Sequence, residues 1–477
     1  MGEIGRQYVT SKGLLITALV LICVIGGLGV IFPPHIYPLA VVFGAMAVFF
    51  MMYSPMSALL IYLIFFLAWP QEWAPYFSYL PGFTERIIGF MAIGSMALSF
   101  MFRQRSTFHL GLPGYGILVF FAAMVLTMIS SYYMTATKDA LVDLLRLIVV
   151  FILVVNIVET PKQLRWVAHL YFFLIIVMAA MSINNYYHGG YQYRMGIMRA
   201  IGLGGSYADP NAHAATLTYA APLIFYFMKD AANRWQRLLL AGGSVIILAN
   251  IVLTGSRTAM VGVLFLAAVV IARSKRKFAY TAVAVVGLMI AVMLMPDQYV
   301  GRFESTTDLS SETSSAESAR GRIEGLEHGF KLFLMHPITG VGAGCYLIAR
   351  GTEFGVWFQS HNMLGELIAE GGIVGFSAFC FFTYALLITI RRCRKRLKRL
   401  EKTDDNRFMS SMVEGILVSL WLLFLFGLAG HNLYRYNWFF FAAFVVVIDR
   451  ELDRQEAAAE KQVEPAPSDN DLHPQVE

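Results

Sequence analysis

Residues 361–375 read His361-Asn362-Met363-Leu364-Gly365-Glu366-Leu367-Ile368-Ala369-Glu370-Gly371-Gly372-Ile373-Val374-Gly375, and the apolar run they open continues to about residue 390. A run of that length crosses a bilayer as a helix. A polar pair heads it, Gly372 and Gly375 close its first half, and a titratable imidazole therefore stands at a membrane–water boundary. The polar segment just before it carries five cations, Arg302, Arg320, Arg322, Lys331 and Arg350.

Outward from this stretch, apolar runs of similar length recur along the chain. Spans are expected near 13–32, 36–53, 55–70, 84–101, 114–132, 139–158, 166–186, 211–228, 238–254, 258–272, 279–295, 362–390, 411–429 and 434–449. That is about fourteen, or about twelve if closely spaced pairs merge or re-enter. With 57% hydrophobic and 14% charged residues, the composition excludes a soluble globular domain. A β-barrel would alternate apolar and polar residues in short strands. The expected fold class is an all-α polytopic membrane protein, 1–449 forming the membrane domain. Arg6 and Lys12 precede the first run, which lacks a small-residue cleavage site and reads as a retained anchor. Cys23, Cys345, Cys380 and Cys393 have neither metal-ligand nor redox spacing.

The net charge of +6 orients the protein rather than binding nucleic acid. With a cytoplasmic N-terminus, alternation sends Arg103, Arg105, Lys162, Arg165, Lys229, Arg234, Arg237, the cluster Arg273 to Lys277 and the dense run Arg391 to Lys402 inward, as the positive-inside rule asks. The 450–477 tail, rich in Glu, Ala and Pro, is also inside and reads as disordered. Two outer segments are long. Residues 187–210 are rich in Gly and Tyr. Residues 296–361 begin with a flexible Ser/Thr/Glu-rich half, Glu304 to Glu317. Their second half spaces Ile323, Leu326, Phe330, Phe333 and Leu334 as an amphipathic helix that rests on the membrane or caps a cavity. A loop of this length is usually functional.

The outer face collects Arg194, Arg199, Arg257, Arg302, Arg320, Arg322, Arg350 and Arg435, with His188, His328, His336, His361 and His431. Arg offers a planar, permanently charged fork that suits phosphate. Single arginines also serve as interfacial anchors, but two have telling settings. Arg257 lies in the tight outer turn Thr254-Gly255-Ser256-Arg257, where the positive-inside rule disfavours a cation. Arg199 precedes Asp209-Pro210-Asn211, an N-cap and first helical turn that expose N–H groups to an anion. His361 suits a general base, since a neutral imidazole near pH 7 takes a proton readily and a helix N-terminus disfavours its cation. His431-Asn432 repeats the dipeptide without the glycines and ranks second; His213 is a weaker third. Glu366, one turn from His361 but off its face, is a weak candidate to orient it. Asp143 and Arg146 read as an intrahelical pair.

Four places in order resemble the O-antigen ligase superfamily, which includes O-antigen ligases, polysaccharide polymerases and O-linked protein glycosyltransferases. They are Arg199 with Asp209-Pro210-Asn211, Thr254-Gly255-Ser256-Arg257, Arg322 leading to His336-Pro337-Ile338-Thr339-Gly340-Val341-Gly342-Ala343-Gly344, and His361-Asn362 with Gly372 and Gly375. Leu326 stands where the family often has Trp. The resemblance, over residues 190–380, implies an inverting transfer at the periplasmic face of the bacterial inner membrane. The donor would be a glycan on undecaprenyl pyrophosphate and the acceptor a hydroxyl of a glycan, of lipid A-core or of a protein. No cofactor and no metal are implied. It makes His361 the base and Arg199, Arg257 and Arg322 the pyrophosphate ligands, with Arg194, Arg320, Asn362 and His431 as secondary candidates. The rival readings are an O-linked protein oligosaccharyltransferase and, in another class, a lipid-linked glycan flippase. A flippase would line the membrane interior with cations, whereas here they gather on one face.

Overall fold

The computed structural model describes residues 50–51, 53–70, 82–102, 107–194, 197–204, 208–229, 231, 233–293 and 314–463. The expected span 13–32 and all but the end of the expected span 36–53 lie outside them. The described chain is helical apart from one hairpin. In order it forms α1 (Pro55–Ala68), α2 (Thr84–Phe102), α3 (Gly111–Leu126), a 3-10 turn (Thr127–Ser130), α4 (Met134–Ile157), α5 (Pro161–Tyr187), β1 (Tyr191–Arg194) and β2 (Ile197–Ala200). Then follow α6 (Pro210–Lys229), α7 (Arg234–Leu253), α8 (Arg257–Arg273), α9 (Lys277–Met293), α10 (Ser314–Met335), α11 (Tyr346–Phe354), α12 (Met363–Leu397), α13 (Asp404–Gly427) and α14 (Tyr436–Val463).

Among the described residues, six helical segments are long and apolar enough to cross a membrane: Gly111–Ser130, α4, α5, α7, α12 and α13. Of the other helices, α1, α2, α6, α8, α9 and α14 overlap expected spans, while α10 and α11 lie in the expected outer segment 296–361. Large apolar side chains such as Phe90, Leu239 and Phe278 stand fully open, as lipid-facing residues do. Local sequence explains the boundaries. Thr160 and Gln163 form a reciprocal capping box, with Pro161 in the first turn of α5.

α12 is the axis of the bundle, packed on α3, α10, α13 and α14, while α6 packs on α13, α7 and α8. Close approach depends on small residues, because lipid offers no hydrophobic drive between helices. A Cβ on Gly116 of α3 would lie 2.7 Å from the Phe382 Cα of α12.

Three expectations change. Residues 187–210 contain a hairpin, with Gln192 opposite Arg199. Ser314–Glu317, expected as flexible, is the first turn of α10. The segment 450–463, expected as disordered tail, continues α14 as helix. It is held by Arg450, which donates to the carbonyls of Val155 (2.8 Å) and Val158 at the C-terminal end of α4, groups that a helix leaves without partners. Arg454 likewise reaches the Glu159 carbonyl at 2.6 Å.

Candidate active site

Asn362 caps α12: its side-chain oxygen accepts from the N–H groups of Leu364 (3.0 Å) and Gly365 (3.1 Å). Its amide nitrogen donates to the Leu428 carbonyl at 3.3 Å, tying this end of α12 to the end of α13. The helix then breaks at Gly372, which sits at φ 57°, ψ −157°. The loop 337–342 takes up the freed peptide groups. Ile373 and Val374 donate to the carbonyls of Pro337 (2.8 Å) and Ile338 (3.2 Å), and Val341 and Gly342 donate to those of Ala369 (2.8 Å) and Glu370 (3.2 Å). Broken backbone at membrane depth is tolerated when protein groups satisfy it in this way. The motif glycines follow from that contact. A Cβ on Gly340 would lie 2.4 Å from the Ala369 oxygen, and one on Gly372 2.4 Å from the Ile338 oxygen. On its other side the loop is held by Thr127, which accepts from the Ala343 N–H at 3.0 Å.

α10 lies along the mouth of α12. Of the apolar stripe, Ile323, Phe330 and Leu334 are exposed, while Gly325, Gly329 and Leu332 are buried against the protein. A Cβ on Gly325 would lie 2.0 Å from the Ser360 oxygen, and one on Gly329 2.5 Å from the Gly365 oxygen. The glycines let α10 rest on the backbone that carries His361. Arg322 lies one turn before Gly325 on the same helix face, at spacings of three and seven from the two glycines. Arg350 of α11, fully buried, fixes the approach to His361. It donates to His328 Nδ1 (2.8 Å) and to the carbonyls of Phe358 (3.2 Å) and Gln359 (3.4 Å).

His361 is exposed and holds a left-handed backbone, φ 46°, an uncommon state for a residue with a side chain and one that gathers at functional sites. Its ring lies against that of His431, centroids 4.6 Å apart. Behind His431, Glu366 Oε2 stands 3.8 Å from Nδ1. Glu370, one turn further along α12, is fully buried. It accepts from the Tyr434 hydroxyl (2.7 Å) and the Tyr346 N–H (3.2 Å), which pins α12 to α11 and to the α13–α14 connection.

The arginines divide by role. Arg199 is fully buried on β2; it donates to the Thr254 carbonyl and to Asn211 Oδ1, each at 2.7 Å. It thus joins the hairpin, the Thr254–Arg257 turn and the first turn of α6. Gly255 makes that turn at φ 58°, and Arg257 opens α8 beyond it, half-buried. Arg322, also half-buried, is pushed below its ordinary pKa by burial and then by the positive charge of Arg257. The two guanidiniums therefore share one field, without an ion pair from Arg322 to any described carboxylate. Two like charges in a partly desolvated place are unfavourable alone and are relieved by an anion between them.

Residues 242–380 match the O-antigen ligase family model, Wzy_C. Among curated proteins, none matches the chain. The match covers less than half of the chain and agrees with the resemblance read from the motifs that fall within it. The O-antigen ligase region runs from α7 to α12 and contains Arg257, Arg322, the 336–344 loop and His361; Arg199 and His431 lie outside it.

The structure brings Arg199 to Thr254 and Asn211 and His361 to His431, and the charge of Arg257 reaches Arg322. Arg194 stands at the end of β1 and Arg320 in the first turns of α10. His213 is fully buried in α6. The anchoring parts played by Arg350, Tyr346 and Glu370 escape the sequence, because their partners are distant in the chain. Among the described residues, no group of three His, Cys, Asp or Glu is placed to hold a metal ion.

Proposed function

We propose that this protein is an inverting glycosyltransferase that moves a glycan from undecaprenyl pyrophosphate to an acceptor hydroxyl, as an O-antigen ligase or a surface-polysaccharide polymerase. The observation that carries the reading is the seat of α10, with its half-buried Arg322, on the backbone that carries His361 through Gly325 and Gly329, with the charge of Arg257 felt at Arg322. Pyrophosphate is the anion that fits two planar forks. The pair would hold the donor and stabilise charge as it gathers on the leaving group, with Arg199 bracing the Arg257 turn from behind. Arg194 and Arg320 would extend the positive field around the donor. His361 would take the acceptor's proton as the acceptor oxygen attacks the anomeric carbon. The carbon–oxygen bond to pyrophosphate then breaks, and its electron pair leaves with the lipid. The acceptor is a glycan, lipid A-core or protein hydroxyl.

On this reading the His361 end faces the periplasm from the inner membrane, and an impermeant thiol reagent labels Ser314→Cys in intact cells. Arg257→Lys keeps the charge and loses the fork. It lowers turnover at least about tenfold with normal membrane levels, the size of one charge-assisted hydrogen bond. A fully active Lys variant would leave Arg257 an anchor and remove the main support for the donor site.

A further inference from the structure

Two buried polar atoms near the candidate base lack hydrogen bonds. Glu366 Oε2 and His431 Nδ1 are each buried without a partner, yet they stand 3.8 Å apart. A small rotation of the imidazole brings them into hydrogen-bond range. The same imidazole lies against His361, ring centroids 4.6 Å apart. The two histidines come from separate elements, each held by the asparagine that follows. Asn362 caps α12 and reaches Leu428. Asn432, fully buried, donates to the Leu423 carbonyl at 2.5 Å, and its own carbonyl accepts from the Trp438 indole at 2.9 Å. The juxtaposition is therefore fixed from both sides.

We infer that His431 and Glu366 form a positioning pair for His361, in which His431 holds the His361 ring and Glu366 balances the positive charge the two imidazoles share once a proton arrives. The inference rests on the reading of His361 as the base. In the transfer step the acceptor O–H proton passes to His361, and water receives it afterwards through the partly exposed His431 edge. Other groups around the pair are committed elsewhere or carry the wrong charge. Glu370 is bonded by Tyr434 and Tyr346, Tyr219 faces Asn432, and Arg435 is cationic. Glu366 is the carboxylate facing His431.

The test uses the full-length protein in lipid nanodiscs, with undecaprenyl-pyrophosphate-linked glycan and acceptor. Turnover and KM for the donor are followed across pH for Glu366→Gln, His431→Phe, the double variant and His361→Ala. A nearby carboxylate favours protonated imidazole, so removing it keeps the base neutral at lower pH. Glu366→Gln lowers kcat about tenfold, leaves donor KM within about twofold, and moves the acid limb of kcat/KM to lower pH by about one unit. His431→Phe keeps a ring against His361 and moves the limb the same way, and the double variant adds nothing further. Wild-type kcat and limb in Glu366→Gln overturn the pairing. A lower kcat with an unmoved limb overturns it too, since that is structural damage alone. If Glu366→Gln does not fold, the limb of His431→Phe decides in the same two ways. An active His361→Ala defeats the underlying base assignment whatever Glu366 does, whereas an inactive one with unmoved limbs in the other variants defeats only this inference.

Discussion

The two ends of α12 are both rich in arginine and are built differently. At the Leu397 end the guanidiniums meet carboxylates. Arg392 and Arg396 pair with Asp449, Arg396 also with Asp453 and Glu456, and Arg394 and Arg273 with Glu414. On the side of the molecule that carries His361, Arg199 bonds a carbonyl and an amide oxygen, Arg350 bonds a histidine and two carbonyls with Glu324 more distant at 3.7 Å, and Arg322 feels the charge of Arg257. The first arrangement ties α12, α13 and α14 together. The second meets mostly neutral oxygens and a histidine, and on the proposed function its positive field serves the donor. A cation count cannot tell these ends apart, but their partners can.

The largest expected effect is at the base. His361→Ala lowers the transfer rate by ~10²–10⁴-fold, the usual share of general-base catalysis, and His431→Ala lowers it less. Donor binding survives both, measured by retention of labelled donor on immobilised protein. An inactive His431→Ala beside a near-normal His361→Ala would exchange their roles.

Gly340→Ala comes next. Its Cβ would meet the Ala369 oxygen at 2.4 Å, in a backbone at φ 69°. The left-handed state alone costs an L residue about 1–2 kcal/mol, and the clash adds to it. The variant melts at lower temperature and loses transfer, read by thermal unfolding in detergent and by turnover. Wild-type stability there would mean that the 336–344 loop does not support the break in α12.

Much of this contrast is legible in the sequence, for local reasons. Asn362 caps a helix because its partners are two and three residues on, and the helices fall where apolar runs of spanning length stand. The assignment fails where partners are remote or where burial follows lipid rules. The burial of Arg199 depends on Thr254, fifty-five positions away, and nothing near Arg199 announces it. On α10 the apolar stripe with Ile323 and Phe330 is visible in the sequence, but the glycine face that meets the protein is not. In this setting the small residues pack and the large ones turn outward, so Gly325 and Gly329 form the contact. Gly372 and Gly375 read as a helix closing; Gly372 is instead a break inside it, visible only once Pro337 and Ile338 are beside it. Glu366 looks misplaced for His361 because His431, from a distant segment, stands as the link between them.

The claim that the ends of α12 differ in kind is tested most directly by donor affinity. Undecaprenyl-pyrophosphate-linked glycan is titrated onto purified wild type, Arg322→Gln and Arg394→Gln at one fixed salt concentration. Arg322→Gln binds at least about tenfold more weakly, as loss of one charge-assisted contact requires. Arg394→Gln binds within about twofold of wild type and loses at most about 1 kcal/mol of stability, the scale of a partly exposed ion pair. Unchanged affinity in Arg322→Gln, or an equal loss in Arg394→Gln, would contradict the account.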